Sequence, residues 1–255
     1  MRIMQWNIGG GRIREQNSNP LDTLSYTTES MDYLAETIHK YSPDIITLQE
    51  THQSSDGTNQ AQMLASMLGY NYWKNDTHDM SHIDISQVFG QAIISRFPIN
   101  EHAFLRLPNP NLTILSEGGV VIRSHDYGVS SAVVDMPDGK IRVITFHLPA
   151  LHFFGITPES KEAQDILNAV GRGIEITTYP TIISGDYNLD TSRVLGLLPE
   201  LNRKGFKETP FSTATTPKGR TLDHIVYFGF NNVSASVINT ALTDHYPILA
   251  ELERL

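Results

Sequence analysis

Short apolar runs of strand length dominate this chain: RIMQWN, DIITLQE, QAIIS, GVVIRS, VSSAVVDM, KIRVITFHL, TIISG, LDHIVYF and HYPILAELE. Extended runs of this kind satisfy their backbone hydrogen bonds only by pairing with one another, so sheets must occupy the centre of the fold. Stripes of helical period are few and widely spaced. Residues 27–40 place Met31, Leu34, Ala35 and Ile38 at i, i+3, i+4 and i+7, and YSPD ends them because the residue before a proline avoids the α region. Ala61, Leu64, Ala65 and Leu68 form a second stripe, with Gly69 placed to close it. A third is predicted from TPES, with Thr157 as N-cap and Pro158 in the first turn, and carries Ala163, Ile166, Leu167, Val170 and Ile174. Many strands with few helices predict an α/β fold of two packed sheets flanked by helices. MPDGK has the chemistry of a hairpin turn, while residues 9–25 and 74–88 are polar and aperiodic and read as loops.

No linker-like segment interrupts the 255 residues, so a single domain over 1–255 is expected. The formal net charge of −9, from 19 Lys plus Arg against 28 Asp plus Glu, excludes a global basic field for gripping a nucleic-acid backbone. An anionic partner must then be held locally, and acids gathered round a divalent cation would reconcile the two, because the metal inverts the local field. The absence of cysteine excludes disulfides, thiolate nucleophiles and Cys-ligated metals. No run approaches the about 20 apolar residues of a spanning helix, and MRIMQWNIGG lacks the apolar core of a signal peptide. A soluble, cytoplasmic monomer is expected.

The polar residues that interrupt the apolar runs are carboxylates, amides or imidazoles, and they stand where strand meets loop. Asn7 closes the first run, Glu50 closes DIITLQE, His147 closes KIRVITFHL, and Asp186 with Asn188 follows TIISG. Asp223 opens LDHIVYF, and Asp244 with His245 opens the last run. Taken singly, each is explained by turn chemistry. Taken together, they can converge on one rim. Oxygen donors with a few histidines and no thiolate suit a hard divalent cation, Mg2+ or Mn2+, and phosphoester hydrolysis is the natural reaction for that set.

In the order QWNIGG, SPDIITLQE, GQAIISRFPI, TFHL, SGDYN, GRTLDHI and TDHYPI, the chain resembles the endonuclease/exonuclease/phosphatase superfamily from Asn7 to Pro247. The resemblance implies a deoxyribonuclease I-like, four-layered α/β/β/α sandwich of two packed mixed sheets, with a Mg2+-dependent phosphoesterase site at one edge. Carried over by position, it makes Glu50 the principal metal ligand, with Asn7 and Asp244 in the metal and phosphate environment. Asp186 would align and deprotonate the attacking water, held by Asn188, which also reaches the phosphate. Asp223 would pair with His245, and His147 would donate to a phosphoryl oxygen or the leaving group. The resemblance leaves open whether Asp186 or His245 is the base. Gly9 and His147 stand where the abasic-site repair branch carries an acid and a tyrosine, which points instead to the deoxyribonuclease-like, tyrosyl-DNA phosphodiesterase-like and sphingomyelinase-like branches. The carboxylate that partners the first histidine in deoxyribonuclease I has no match near DISQVFG.

Lys218 and Arg220, just before Asp223, are candidates to contact substrate phosphates, with surface solvation as the alternative reading. Gly185 is expected to let the backbone turn close to the phosphate. NIGGGR lacks the third glycine of a dinucleotide fingerprint and reads as a flexible loop beside the site. His78 and His82 lack the glutamate of a zincin helix and read as part of a solvated loop, Arg96 as structural support, and Trp73, Phe153 and Phe154 as core. The leading functional reading is in-line hydrolysis of a nucleic acid or nucleotide-containing ester. A lipid or inositol-phosphate phosphoesterase is the alternative, and predicts that LPALHFFGI is exposed beside the metal. The third reading is a binding module without turnover.

Overall fold

A computed structural model describes residues 1–115, 119, 121–174 and 179–255. Strand β1 (Arg2–Asn7) leads to a small hairpin of β2 (Arg12–Arg14) and β3 (Tyr26–Glu29), then helix α1 (Met31–Tyr41), strand β4 (Ile45–Gln53) and helix α2 (Gln60–Leu68). Strands β5 (Tyr72–Met80), β6 (Val88–Ser95) and β7 (Ile99–Arg106) follow, then a second small hairpin of β8 (Thr113–Leu115) and β9 (Val121–Arg123). Next come β10 (Gly128–Met136), β11 (Gly139–His147), helix α3 (Lys161–Gly173), β12 (Thr181–Asp186) and helix α4 (Pro199–Arg203). The chain closes with β13 (Lys207–Glu208), β14 (Asp223–Phe228), β15 (Phe230–Val237) and β16 (Ile248–Arg254). Val120, part of the predicted GVVIRS strand, lies outside the described residues.

Two six-stranded mixed sheets form the centre, ordered β15-β16-β1-β4-β6-β5 and β13-β14-β12-β11-β10-β7. Side chains alternate across each strand, so each sheet has an inner and an outer apolar face. On the outside of the first sheet, Met4, Trp6, Ile46 and Leu48 pack with Leu34 and Ile38 of α1 and Ala61 and Leu64 of α2. Outside the second, Ile144, Phe146, Ile183 and Val226 pack with Ile166 and Val170 of α3 and Leu201 of α4. Between the sheets lie Ile3, Ile45, Val143, Ile182 and Ile225. These layers are the expected α/β/β/α sandwich.

Several local expectations are corrected. Residues 74–80 are not a loop but most of β5, an edge strand paired only with β6. An edge strand needs one partner and little burial, so Lys74, Asn75, Asp76 and Thr77 are tolerated in it. Within the other predicted loop, Arg12–Arg14 pairs with β3. That pairing also delays the first helix to Met31, where Ser30 caps it by accepting from the Tyr33 amide. The N-cap of α3 is Ser160, whose hydroxyl accepts from the Ala163 amide, and Thr157 instead begins the preceding turn. Gly69 closes α2 in the left-handed region, as expected.

Candidate active site

Five strands end or bend at the same rim. In β1, Ile3, Gln5 and Asn7 share the inner face. The inner faces of β4, β11, β12 and β14 likewise grade from aliphatic residues through Thr47, Gln49, Thr145 and Ser184 to acids and imidazole at the rim. The intermediate polar layer is buried and paired except at Gln5 Oε1, which has no partner among the described residues. Gln5 donates to Gln49 at 2.6 Å and to Asp223 at 2.9 Å, Gln49 donates to Thr145 at 2.8 Å, and Thr47 and Ser184 share a bond of 2.8 Å. This layer, which the sequence analysis missed, ties one sheet to the other directly beneath the site.

Strand register sets the acidic cluster. His147 pairs with Asp186 across β11 and β12, and Asp186 with Asp223 across β12 and β14. Glu50 reaches the rim differently. It does not close its strand but sits in a β-bulge between Gln49 and Thr51 at φ 53°, a left-handed conformation that bulky side chains adopt at a cost. Asn188, just past β12, is also left-handed at φ 49°.

Asn7 knits the cluster. Its Nδ2 donates to Glu50 Oε1 at 3.1 Å and to Asp186 Oδ2 at 3.0 Å. Asp186 Oδ1 accepts the Asn188 amide at 2.8 Å, and Asn188 Nδ2 donates to the Leu148 carbonyl at 2.8 Å and lies 2.9 Å from His147 Nε2. That nitrogen is also 3.5 Å from Asp186 and 3.9 Å from Glu50. His245 lies with Nδ1 2.9 Å from Asp223 Oδ2 and Nε2 3.7 Å from Asp186 Oδ2. Asp244 is exposed at the mouth beside Gly9, where an added Cβ would stand 3.2 Å from Asp244 Oδ1. The turn Gly9–Gly11 is buried and closely packed rather than a flexible loop.

Burial and neighbouring charges divide these groups. Burial pushes the Asp186 carboxyl up, and the Asp223 charge adds to this against the opposing pull of His245. Burial alone would lower His245, but Asp223 and Asp186 raise it well above its ordinary value, which favours the imidazolium. Burial would raise Glu50, yet His82, His147 and the Asn7 amide hold it at about 2. His147 is driven down to about 4, chiefly by burial, and is neutral. Its Nδ1 has no hydrogen-bond partner among the described residues, and the Tyr127 ring packs edge-on at 4.9 Å.

Asp186, Asp223 and His245 offer ligand atoms within 4.8 Å of one another, but Asp223 and His245 already bond each other. Glu50 is ionised, faces the cavity, and has Asn7 and the open carboxylate of Asp244 beside it. Asn7 turns its Nδ2 toward Glu50 and Asp186 and its Oδ1 to the Gly9 amide at 3.1 Å, so the oxygens open to a hard divalent cation are those of the carboxylates, whose crowding its charge would relieve.

All the expected site residues therefore gather at one cavity of about 360 Å³ or directly behind it, with Lys218 and Arg220 in its wall. Arg220 also lies 3.5 Å from Asp190 and 3.1 Å from His152 Nε2. The sequence reading missed His82. It lies in the exposed loop just past β5, as expected, but in the cavity wall with Nε2 3.9 Å from Glu50 Oε2. His78 is buried in β5, not in a solvated loop. Phe153 is 63% exposed, not core. Arg96 is structural, donating to the Tyr70 hydroxyl at 2.8 Å. Gly185 lies within β12, and its glycine is required because a Cβ there would stand 2.1 Å from the Phe146 carbonyl oxygen, not because the backbone turns.

The sequence profile of the endonuclease/exonuclease/phosphatase family matches residues 4–245. A UPF0294 protein of Yersinia enterocolitica is 30% identical over 125 residues, a match covering 48% of this chain and 46% of that protein, so the matched segment spans about half the length of that relative. Among solved structures, an endonuclease/exonuclease/phosphatase from Beutenbergia cavernae superposes with a TM-score of 0.74 at 20% identity, covering 99% of this chain and 71% of that one. The catalytic domain of human Nocturnin, with a bound sulfate anion, superposes with a TM-score of 0.67 at 19% identity, covering 100% and 93%.

Proposed function

Since the chain belongs to the endonuclease/exonuclease/phosphatase family, whose members are typically phosphoester hydrolases, we propose that it is a divalent-metal-dependent phosphodiesterase working by in-line attack of water. The observation that carries this reading is the meeting of Glu50, Asn7, Asp186, His147 and the Asp223–His245 pair within hydrogen-bond or ion-pair distance around one cavity.

Glu50 and Asp244 would hold Mg2+ or Mn2+, joined by Asn7 once its amide turns Oδ1 away from Gly9. The cation's chemistry is to neutralise charge building on the phosphoryl oxygens. Asp186 is assigned as the base, because its raised affinity for a proton places it nearer neutrality than an ordinary carboxylate. His245 favours its protonated form and is suited to stabilising negative charge opposite Asp186 rather than to accepting a proton. Asp223 orients that ring from behind. His147, neutral and packed against Tyr127, accepts the Asn188 amide through Nε2 as it stands, and with that amide displaced and the ring proton carried on Nε2 it would donate to a phosphoryl oxygen. Asn188 would then be free to meet a second oxygen. Lys218 and Arg220 would hold the substrate's charge at the mouth.

A panel of single- and double-stranded DNA, RNA, 5′-tyrosyl DNA, sphingomyelin, inositol phosphates and bis-p-nitrophenyl phosphate, each with Mg2+ and with chelator, tests the proposal. Metal-dependent cleavage of at least one diester, lost in Asp186→Asn, is the expected result. No cleavage with any divalent metal would leave the protein a binding module.

A further inference from the structure

A second cavity, of about 220 Å³, shares no lining residue with the active one. The segment that leads into β14 borders both. Arg220 and Leu222 line the active cavity, whereas Thr221 and His224 line the other. Side chains alternate along β14, so Asp223 turns to the catalytic rim and His224 to the opposite face of the sheet. There His224 is 2% exposed, with Nδ1 2.8 Å from Glu208 Oε1. That oxygen also accepts the Val194 amide at 3.0 Å, and Oε2 accepts the Leu195 amide at 3.3 Å. A carboxylate that accepts on both oxygens fixes the ring proton on Nδ1, so Nε2 is the nitrogen left for another partner. It has none among the described residues. Nor has the hydroxyl of Thr209, a residue also 2% exposed that lines the same cavity.

Buried polar atoms left without partners are costly, and two of them on residues lining one cavity mark a place for water or a ligand. The volume favours a ligand, since one water takes about 30 Å³. The lining selects its chemistry. Phe211 and Ala214 are apolar, and the remaining wall is made of the hydroxyl side chains of Ser192, Ser212, Thr213 and Thr221. An ion would find no free opposite charge here, because the carboxylate beside His224 is already that ring's partner. A neutral hydroxyl group suits both orphan atoms. It donates to a bare Nε2, accepts from a protonated one, and does either with the Thr209 hydroxyl.

We propose that this cavity binds a small uncharged polyol, such as a monosaccharide, at a site separate from the active cavity. The inference does not depend on the phosphodiesterase reading. His224 directly follows Asp223, and Thr221 stands between Arg220 and Leu222, so an occupant would brace the segment that presents Lys218 and Arg220 to the active cavity.

The test is a glucose titration of protein carrying isotope-labelled histidine, in chelator, followed through the long-range proton–nitrogen spectrum of the imidazoles. His224 is assigned from the signals lost in His224→Gln. Wild type is expected to show the Nδ1–H form of His224 and a saturable shift of its Nε2 signal as glucose is added. Thr209→Val keeps the shape, removes the hydroxyl and should raise the half-saturating glucose concentration about fivefold or more. Should that variant misfold, Ser212→Ala/Thr213→Ala, at exposed positions of the wall, gives the same reading with a smaller loss. A His224 signal that glucose never moves means that the two atoms hold water alone, and overturns the inference. Folded Thr209→Val that binds glucose as wild type does also overturns it. So does saturation at His245 without change at His224, which places the sugar in the active cavity, and so does inorganic phosphate that saturates the His224 signal where glucose does not. Hydrolysis of bis-p-nitrophenyl phosphate in Mg2+ by the same preparation is read separately and bears only on the phosphodiesterase reading.

Discussion

Asp223 Oδ2 lies 2.9 Å from Nδ1 of His245, and the other oxygen of the same carboxylate accepts from Gln5 Nε2 at 2.9 Å. The fully buried acid is thus fixed from the opposite sheet while it fixes the imidazole, so ring orientation at the rim depends on a bond made deep between the layers. Asp223→Asn keeps the shape but removes the charge that favours the imidazolium. A fall in kcat of about 100-fold or more, with KM little changed, is expected on bis-p-nitrophenyl phosphate. Equal losses in Gln5→Leu and Asp223→Asn would show that the support from behind matters as much as the charge.

Glu50 is the ionised oxygen donor nearest the proposed cation. Chelator should abolish activity, and added Mg2+ should restore it. In Glu50→Gln the Mg2+ concentration for half-maximal activity should rise about tenfold or more, because a neutral amide oxygen is the poorer ligand for a hard cation. An unchanged Mg2+ dependence would move the metal site elsewhere.

The close approach of Gly185 to the Phe146 carbonyl makes Gly185→Ala a test of the strand frame rather than of the chemistry. Strand β12 must move off β11 to admit the methyl group, at a cost of about 1–3 kcal/mol in urea unfolding. Asp186 shifts with it, so activity should fall even where the protein remains folded. If Gly185→Ala is as stable as wild type, the tight pairing described here is wrong.

His78 is buried among Phe89, Phe104 and Tyr127, and neither ring nitrogen makes a hydrogen bond among the described residues. Burial drives it from 6.5 to about 3. The unfolded chain therefore takes up a proton that the folded protein refuses. Stability is complete above pH 6.5 and is lost as pH falls toward 3, by up to about 1.4 kcal/mol per pH unit. His78→Phe removes this loss and fills the same aromatic niche. Urea unfolding at pH 7.5 and pH 5 should show a smaller drop for the variant than for wild type, and an equal drop would contradict the assignment.

The strands that the sequence predicted and those it missed divide by position in the sheets. The inner strands β16, β1, β4 and β6 of one sheet and β14, β12, β11 and β10 of the other all correspond to apolar runs. In the two main sheets the missed strands β5, β7, β13 and β15 are the edges, and β2, β3 and β8 of the small hairpins were missed as well. An inner strand is covered on both faces and must be written in apolar residues, while an edge strand such as Ile99–Arg106 is largely exposed and needs only backbone pairing on one side. His82 was overlooked because the loop that carries it to the cavity is entered from β5.

By itself, then, the chain determined its layered class, its central strands and which polar side chains stand at their ends, because alternation, burial and breaks in apolar runs are local properties. Only the tertiary structure decided the left-handed bulge that aims Glu50, the buried amide and hydroxyl layer under the rim, and the acids that surround His245. Each of these depends on distances between residues far apart in the chain, and such distances are set by how two sheets pack rather than by any local pattern.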